Sequence, residues 1–167
     1  MNTRKFSKRG SVMLEFSLTA LPLLFIIISA VWLAMGMFQY HTVAEAVNVT
    51  ARSATSHGAG CVGQTCATTV NQTALMLAEA AVGIPASSLN VTLTSSASTV
   101  NCNPLSNCYG NSAAWPTLAG NTAGTTDITV QATYLFASPI SLWVPGGGKQ
   151  QFSSVTLGAK SRQTVVY

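Results

Sequence analysis

Arg9-Gly10-Ser11-Val12-Met13-Leu14-Glu15-Phe16 carries the chain from a basic leader, across two small residues, into an apolar segment with one early glutamate. No charge follows Glu15 through residues 16–38. At about 1.5 Å per residue a helix over that stretch spans about 34 Å, enough to cross a hydrocarbon core of about 30 Å. Glu15 therefore stands at the threshold of a membrane-length helix. An ionised side chain at the bilayer centre costs about 2.5 to 3.5 kcal/mol, and less towards the interface, so Glu15 marks a functional position that needs a partner.

The formal charge of +4 is concentrated in the leader, where Arg4, Lys5, Lys8 and Arg9 have no acid among them. Beyond Gly10 four bases (Arg52, Lys149, Lys160, Arg162) balance four acids (Glu15, Glu45, Glu79, Asp127). The high isoelectric point therefore reports the leader alone and offers no case for nucleic acid. Positive residues stay cytoplasmic. That topology puts Cys61, Cys66, Cys102 and Cys108, all downstream of the apolar segment, in an oxidising compartment. Of the three possible connectivities, Cys61 with Cys66 and Cys102 with Cys108 close short loops between Gly- and Asn-rich flanks. Neither spacing is the short Cys-x-x-Cys of a zinc knuckle, and no metal site is expected.

A cleaved secretory signal also begins with bases, and Ala34-Met35-Gly36 passes as a small-x-small site. Its apolar core normally runs only about 7 to 15 residues, however, and an early glutamate is foreign to it. Inside the segment Pro22 removes a donor to the carbonyl of Leu18, which predicts a kink or local melt. Ala30 and Ala34 form a small-xxx-small pair that admits a neighbouring helix.

Past Phe38 the pattern stays helical. Tyr40, Val43, Val47, Ala51 and Ala54 recur at three- and four-residue steps, with Glu45, Asn48 and Arg52 on another face, until Ser56-His57-Gly58 ends the run. A second helix is expected to start at Thr69, with Gln72 completing a capping box, and to end at Gly83 before Pro85. Its inward face would be Val70, Ala74, Leu77, Ala78 and Ala81. The period then changes to two. Leu89, Val91 and Leu93 predict one strand, Ile128, Val130, Ala132, Tyr134 and Phe136 a second, and the run from Phe152 through Val155 and Leu157 to Val165 and Val166 a third. Between the first two strands, residues 95–126 read as a long Ser-, Asn- and Gly-rich loop, a candidate contact surface. Residues 138–148, with Ile140, Leu142, Trp143 and Val144 between Pro139 and Pro145, read as an apolar turn covering a sheet edge or docking on a neighbour.

The expected class is α+β: a long transmembrane and amphipathic helix, a second short helix, and an antiparallel sheet of about three strands with both helices on one face. The expected parts are a leader at 1–10, a membrane helix at 11–38, its amphipathic continuation at 39–56 and an α+β domain at 57–167.

Catalytic motifs fail on context. Gly58-Ala59-Gly60-Cys61-Val62-Gly63 matches G-x-G-x-x-G but follows a helix rather than a strand. Gly146-Gly147-Gly148-Lys149 lacks the Walker spacing. His41 and Glu45, at i and i+4, read as a surface pair. With two histidines, one aspartate and three glutamates past the leader, no nucleophile and base can be assembled, so neither an enzyme nor a cofactor is expected.

Arg9 to Leu18, followed by Leu21-Pro22-Leu23-Leu24, resembles the start of TadE-like proteins, minor pilins or pseudopilins of tight-adherence (Tad/Flp) pilus systems. Val43-Ala44-Glu45-Ala46-Val47-Asn48-Val49-Thr50-Ala51-Arg52-Ser53-Ala54 is similar to the helix that follows the membrane segment in that family, and Arg162 in the C-terminal strand is compatible with it. The resemblance implies cleavage by a prepilin peptidase between Gly10 and Ser11, which makes Glu15 the fifth residue of the mature chain, poised to pair with a neighbouring subunit's terminal amine. It further implies a single-pass inner-membrane subunit, N-terminus cytoplasmic and C-terminus periplasmic. Its partners would be other pilin subunits and the Tad assembly machinery, in a pilus serving surface adherence. Two alternatives stay open: a type II secretion pseudopilin, and an uncleaved membrane-anchored binding module.

Overall fold

A computed structural model describes residues 9–57, 68–117, 127–137, 141–144, 148–151 and 154–165. The chain divides into two compact units, Met1–Met37 and Phe38–Tyr167. Helix α1, Arg9–His57, belongs to both and is continuous through Pro22, so the expected local melt does not occur. In the first unit the apolar side chains of α1 are exposed on every side, and no side defines an inside.

In the second unit α1 becomes one-sided. Val43, Ala46, Val47, Thr50, Ala51 and Ala54 are buried at helical spacing, while Glu45, Asn48 and Arg52 are exposed. Helix α2, Val70–Ala80, begins at the expected capping box: Thr69 accepts from the backbone N–H of Gln72 at 3.2 Å, and the Gln72 side chain accepts from the N–H of Thr69 at 3.0 Å. Two orphan donors are satisfied reciprocally, which stabilises a short helix. The helix stops three residues before the expected Gly83, because Ala81 leaves helical dihedrals at φ −82°, ψ 58° and the chain turns through Gly83 at φ +81°. That left-handed angle is why glycine stands there.

Strands β1 (Leu89–Thr94), β2 (Thr99–Cys102), β3 (Asp127–Ala137) and β6 (Ser154–Thr164) form an antiparallel sheet in the order β2-β1-β3-β6. Strands β4 (Ser141–Val144) and β5 (Gly148–Gln151) pair separately as a hairpin. The three expected strands are present, and β2, β4 and β5 are additions to them. In register, Leu93 lies between Val100 and Val130, and Val91 between Cys102 and Ala132. That row of alternate residues joins Val43, Val47 and Ala51 of α1 and Val70, Ala74 and Leu77 of α2 in one core. The opposite face carries Thr92, Thr94, Thr129, Gln131, Lys160 and Arg162 and stays open. Lys160 and Arg162 also guard β6, an edge strand whose free backbone groups would otherwise invite pairing.

The stretch expected to be a long loop is structured through Thr117. After β2 comes a single 3-10 turn, Leu105–Cys108, closed by a disulfide between Cys102 and Cys108 with Cα atoms 5.5 Å apart. The chain then returns to the start of α2. Val70 donates to the carbonyl of Ala113 at 2.9 Å, Asn71 to that of Asn111 at 3.0 Å, and Trp115 to that of Thr68 at 2.9 Å. Leu105 and Trp115 are buried in the core, so residues 103–117 form an anchored strap, with residues 109–114 exposed along it.

Candidate functional site

Gly10, Ser11 and Glu15 all lie in the first turns of α1. Glu15 falls four residues after Ser11, one helical turn on along the same side. Its side chain is exposed and has no ion pair among the described residues. Leu14, Leu18 and Thr19 flank it along a shallow open groove.

The other polar groups of this segment are spent on their own helix. Ser17 donates to the carbonyl of Leu14 at 3.0 Å, Thr19 to those of Glu15 and Phe16 at 3.1 Å, and Ser29 to that of Phe25 at 2.8 Å. Such back-bonding is what a hydroxyl in hydrocarbon needs, since no water is there to satisfy it. Glu15 cannot be satisfied in that way, because an ionised carboxylate only accepts. The segment can therefore sit in a bilayer at the cost of one uncompensated group.

The remaining sequence-derived positions fall elsewhere. Cys102 and Cys108 form the expected disulfide and hold the strap described above. Cys61 and Cys66 lie outside the described residues. The expected His41–Glu45 pair is not made: the His41 ring stacks edge-on against Tyr40, with centroids 5.8 Å apart, and Glu45 has no ion pair among the described residues.

Arg162 has a role that periodicity did not reveal. On the open sheet face it donates Nε to Asp127 Oδ2 at 2.9 Å, and Thr164 donates to Asp127 Oδ1 at 2.7 Å. Thr164 and then Arg162 hold the Asp127 carboxyl below its ordinary range. The signal lies in pairing rather than in pattern. Asp127 pairs with Thr164, and Thr129 with Arg162, so Arg162 meets Asp127 diagonally across the ladder.

The family described as TadE-like protein matches residues 10–52. Curated proteins and solved structures give no match to this chain. The family match begins at Gly10, takes in Glu15 and Pro22, and ends at Arg52 on the amphipathic part of α1, leaving α2 and the sheet outside it. Over its long N-terminal helix, this chain is similar to TadE-like proteins.

Proposed function

We infer that the protein is a minor pilin of a Tad-type pilus, a structural, non-enzymatic subunit anchored by α1 in the inner membrane. The observation that carries this reading is the combination in one helix of an apolar surface exposed on every side with a lone carboxylate one turn after Ser11. A prepilin peptidase cuts between Gly10 and Ser11. The cut removes the leader bases that hold the helix in place and creates an ammonium at Ser11. That ammonium and Glu15 of an adjacent subunit meet when helices bundle, turning two separate desolvation costs into one compensated pair. Pro22 supplies a point of bend in the packed stem. The disulfide supports a domain outside the cytoplasm, where such bonds persist.

Mass spectrometry of the N-terminus, with and without the peptidase, tests the reading. The expected product begins at Ser11 when the peptidase is present, and an intact Met1 chain in those cells overturns it. Replacing Gly10 with a bulky residue should block processing. Glu15→Ala should be cut normally yet fail to enter pili, and normal incorporation of that variant would remove the pairing argument.

A further inference from the structure

Between Glu79 and Asp127 the sequence carries no charged residue and no histidine. The strap lies in that stretch, and its tip, residues 109–114, is exposed although both of its ends are pinned. Leu105 and Trp115 are buried on either side of the tip, and the Cys102–Cys108 disulfide closes immediately before it. Asn71 of α2 clamps the tip twice: its backbone N–H donates to the carbonyl of Asn111 at 3.0 Å, and its Oδ1 accepts from the N–H of Gly110 at 2.8 Å. Asn111 Oδ1 in turn accepts from the N–H of Ala113 at 3.0 Å.

Both side-chain amides thus spend their carbonyl on the backbone. Neither NH2 group has a partner among the described residues, so each amide is left as a donor. Tyr109 adjoins the clamp, since its carbonyl belongs to the peptide group whose N–H Asn71 holds, and it is 40% exposed. Gly110, between Tyr109 and Asn111, turns at φ +79° with nothing within 4 Å of where a Cβ would stand, chain neighbours aside. The turn is open to an approaching ligand.

We propose that the strap tip binds an uncharged, hydroxyl-rich glycan, with Tyr109 packed on the C–H face of a sugar ring and the amides of Asn71 and Asn111 donating to its oxygens. A pyranose ring offers these two surfaces together, an apolar face and a rim of acceptors. With no charge across residues 80–126, the tip has no electrostatic preference for an acidic polymer. A protein partner would cover roughly 800 Å² per side around buried aromatic or arginine anchors, and one tyrosine among small polar neighbours offers no such centre. The tip is also ordered before it binds, which lowers the entropy cost that weak polar contacts must overcome. The site lies in the second unit and depends neither on the membrane anchor nor on leader cleavage.

The full chain, solubilised in a polyoxyethylene detergent so that no sugar headgroup competes, is measured against immobilised neutral polysaccharides (a β-glucan, a galactomannan and a mannan) with acidic alginate alongside. Binding to at least one neutral polymer is the expected result. Tyr109→Ala should weaken it about tenfold, and Tyr109→Phe far less, because the ring remains. Asn71→Asp and Asn111→Asp keep the oxygen that holds the backbone but lose the NH2 donor, and each should weaken binding about fivefold. No binding to any neutral polymer, binding to alginate alone, retention of other proteins but of none of these polymers, or variants that bind like the wild type would overturn the proposal.

Discussion

Helix α1 is built on two different rules along one continuous backbone. Within Met1–Met37 its described side chains are apolar all round and exposed, and the hydroxyls of Ser17, Thr19 and Ser29 turn back onto its own carbonyls. Within Phe38–Tyr167 it is striped, with Val43, Val47 and Ala51 in a core shared with α2 and the sheet. The first part has the surface of a candidate membrane anchor, whereas the second makes its own interior. One helix thus carries two patterns, a candidate membrane anchor and a core-facing stripe, and the change falls near Phe38.

The sharpest way to break this comparison is to make the same substitution on each side. Leu77 is fully buried, whereas Leu24 is 55% exposed. Leu77→Ala should cost the second unit about 2 to 5 kcal/mol in denaturant unfolding. Leu24→Ala should leave that transition within about 0.5 kcal/mol. Equal effects would mean the two parts share a core.

Next in size is the disulfide. Replacing Cys102 and Cys108 by serine should lower the unfolding free energy of the second unit by about 2 to 3 kcal/mol, with the apolar segment again indifferent. Thr50 sharpens the comparison in the opposite direction. Its hydroxyl is buried without a hydrogen-bond partner among the described residues, unlike Ser17 or Thr19. Thr50→Val should therefore raise the midpoint of unfolding by an amount worth about 1 kcal/mol, while Thr19→Val, which removes a satisfied hydroxyl, should not affect it.

The smallest effect concerns acid. Since the Asp127 carboxyl is held below its ordinary value of 3.8, its contribution is present above the ordinary carboxylate range and fades as pH falls through the lowered value. A carboxyl NMR titration should show a midpoint below 3.8, and Thr164→Val or Arg162→Gln should each move it upward. The group is exposed, so the slope of stability against pH should be slight.

The parts of the fold legible in the sequence were those with a one-dimensional signature. Thr69 and Gln72 announced the start of α2, and the alternation from Leu89 and from Ile128 announced β1 and β3. Strand β2 was not legible because Thr99-Val100-Asn101-Cys102 has too few apolar residues to show a period. It exists through its pairing with β1, where Val100 and Cys102 meet Leu93 and Val91. The strap that follows gives no periodic signal either; Leu105 and Trp115 anchor it and its backbone groups bond to the start of α2. The β4–β5 hairpin lies in a Pro- and Gly-rich stretch that reads as a turn. In the candidate site Glu15 was legible as an anomaly, whereas the Asp127–Arg162 pair needed the register of β3 with β6.

The inward-turned hydroxyls of the apolar segment also bear on rotation. A rod whose Ser17, Thr19 and Ser29 donors are spent internally offers lipid nearly the same surface at every azimuth. Spinning it about its long axis meets little resistance, and sliding it past a similar rod meets little more. Glu15 is the exception, a single notch on a smooth shaft. In the proposed assembly, angular and axial alignment among such rods would depend on that notch, and substitution at one position would loosen both together.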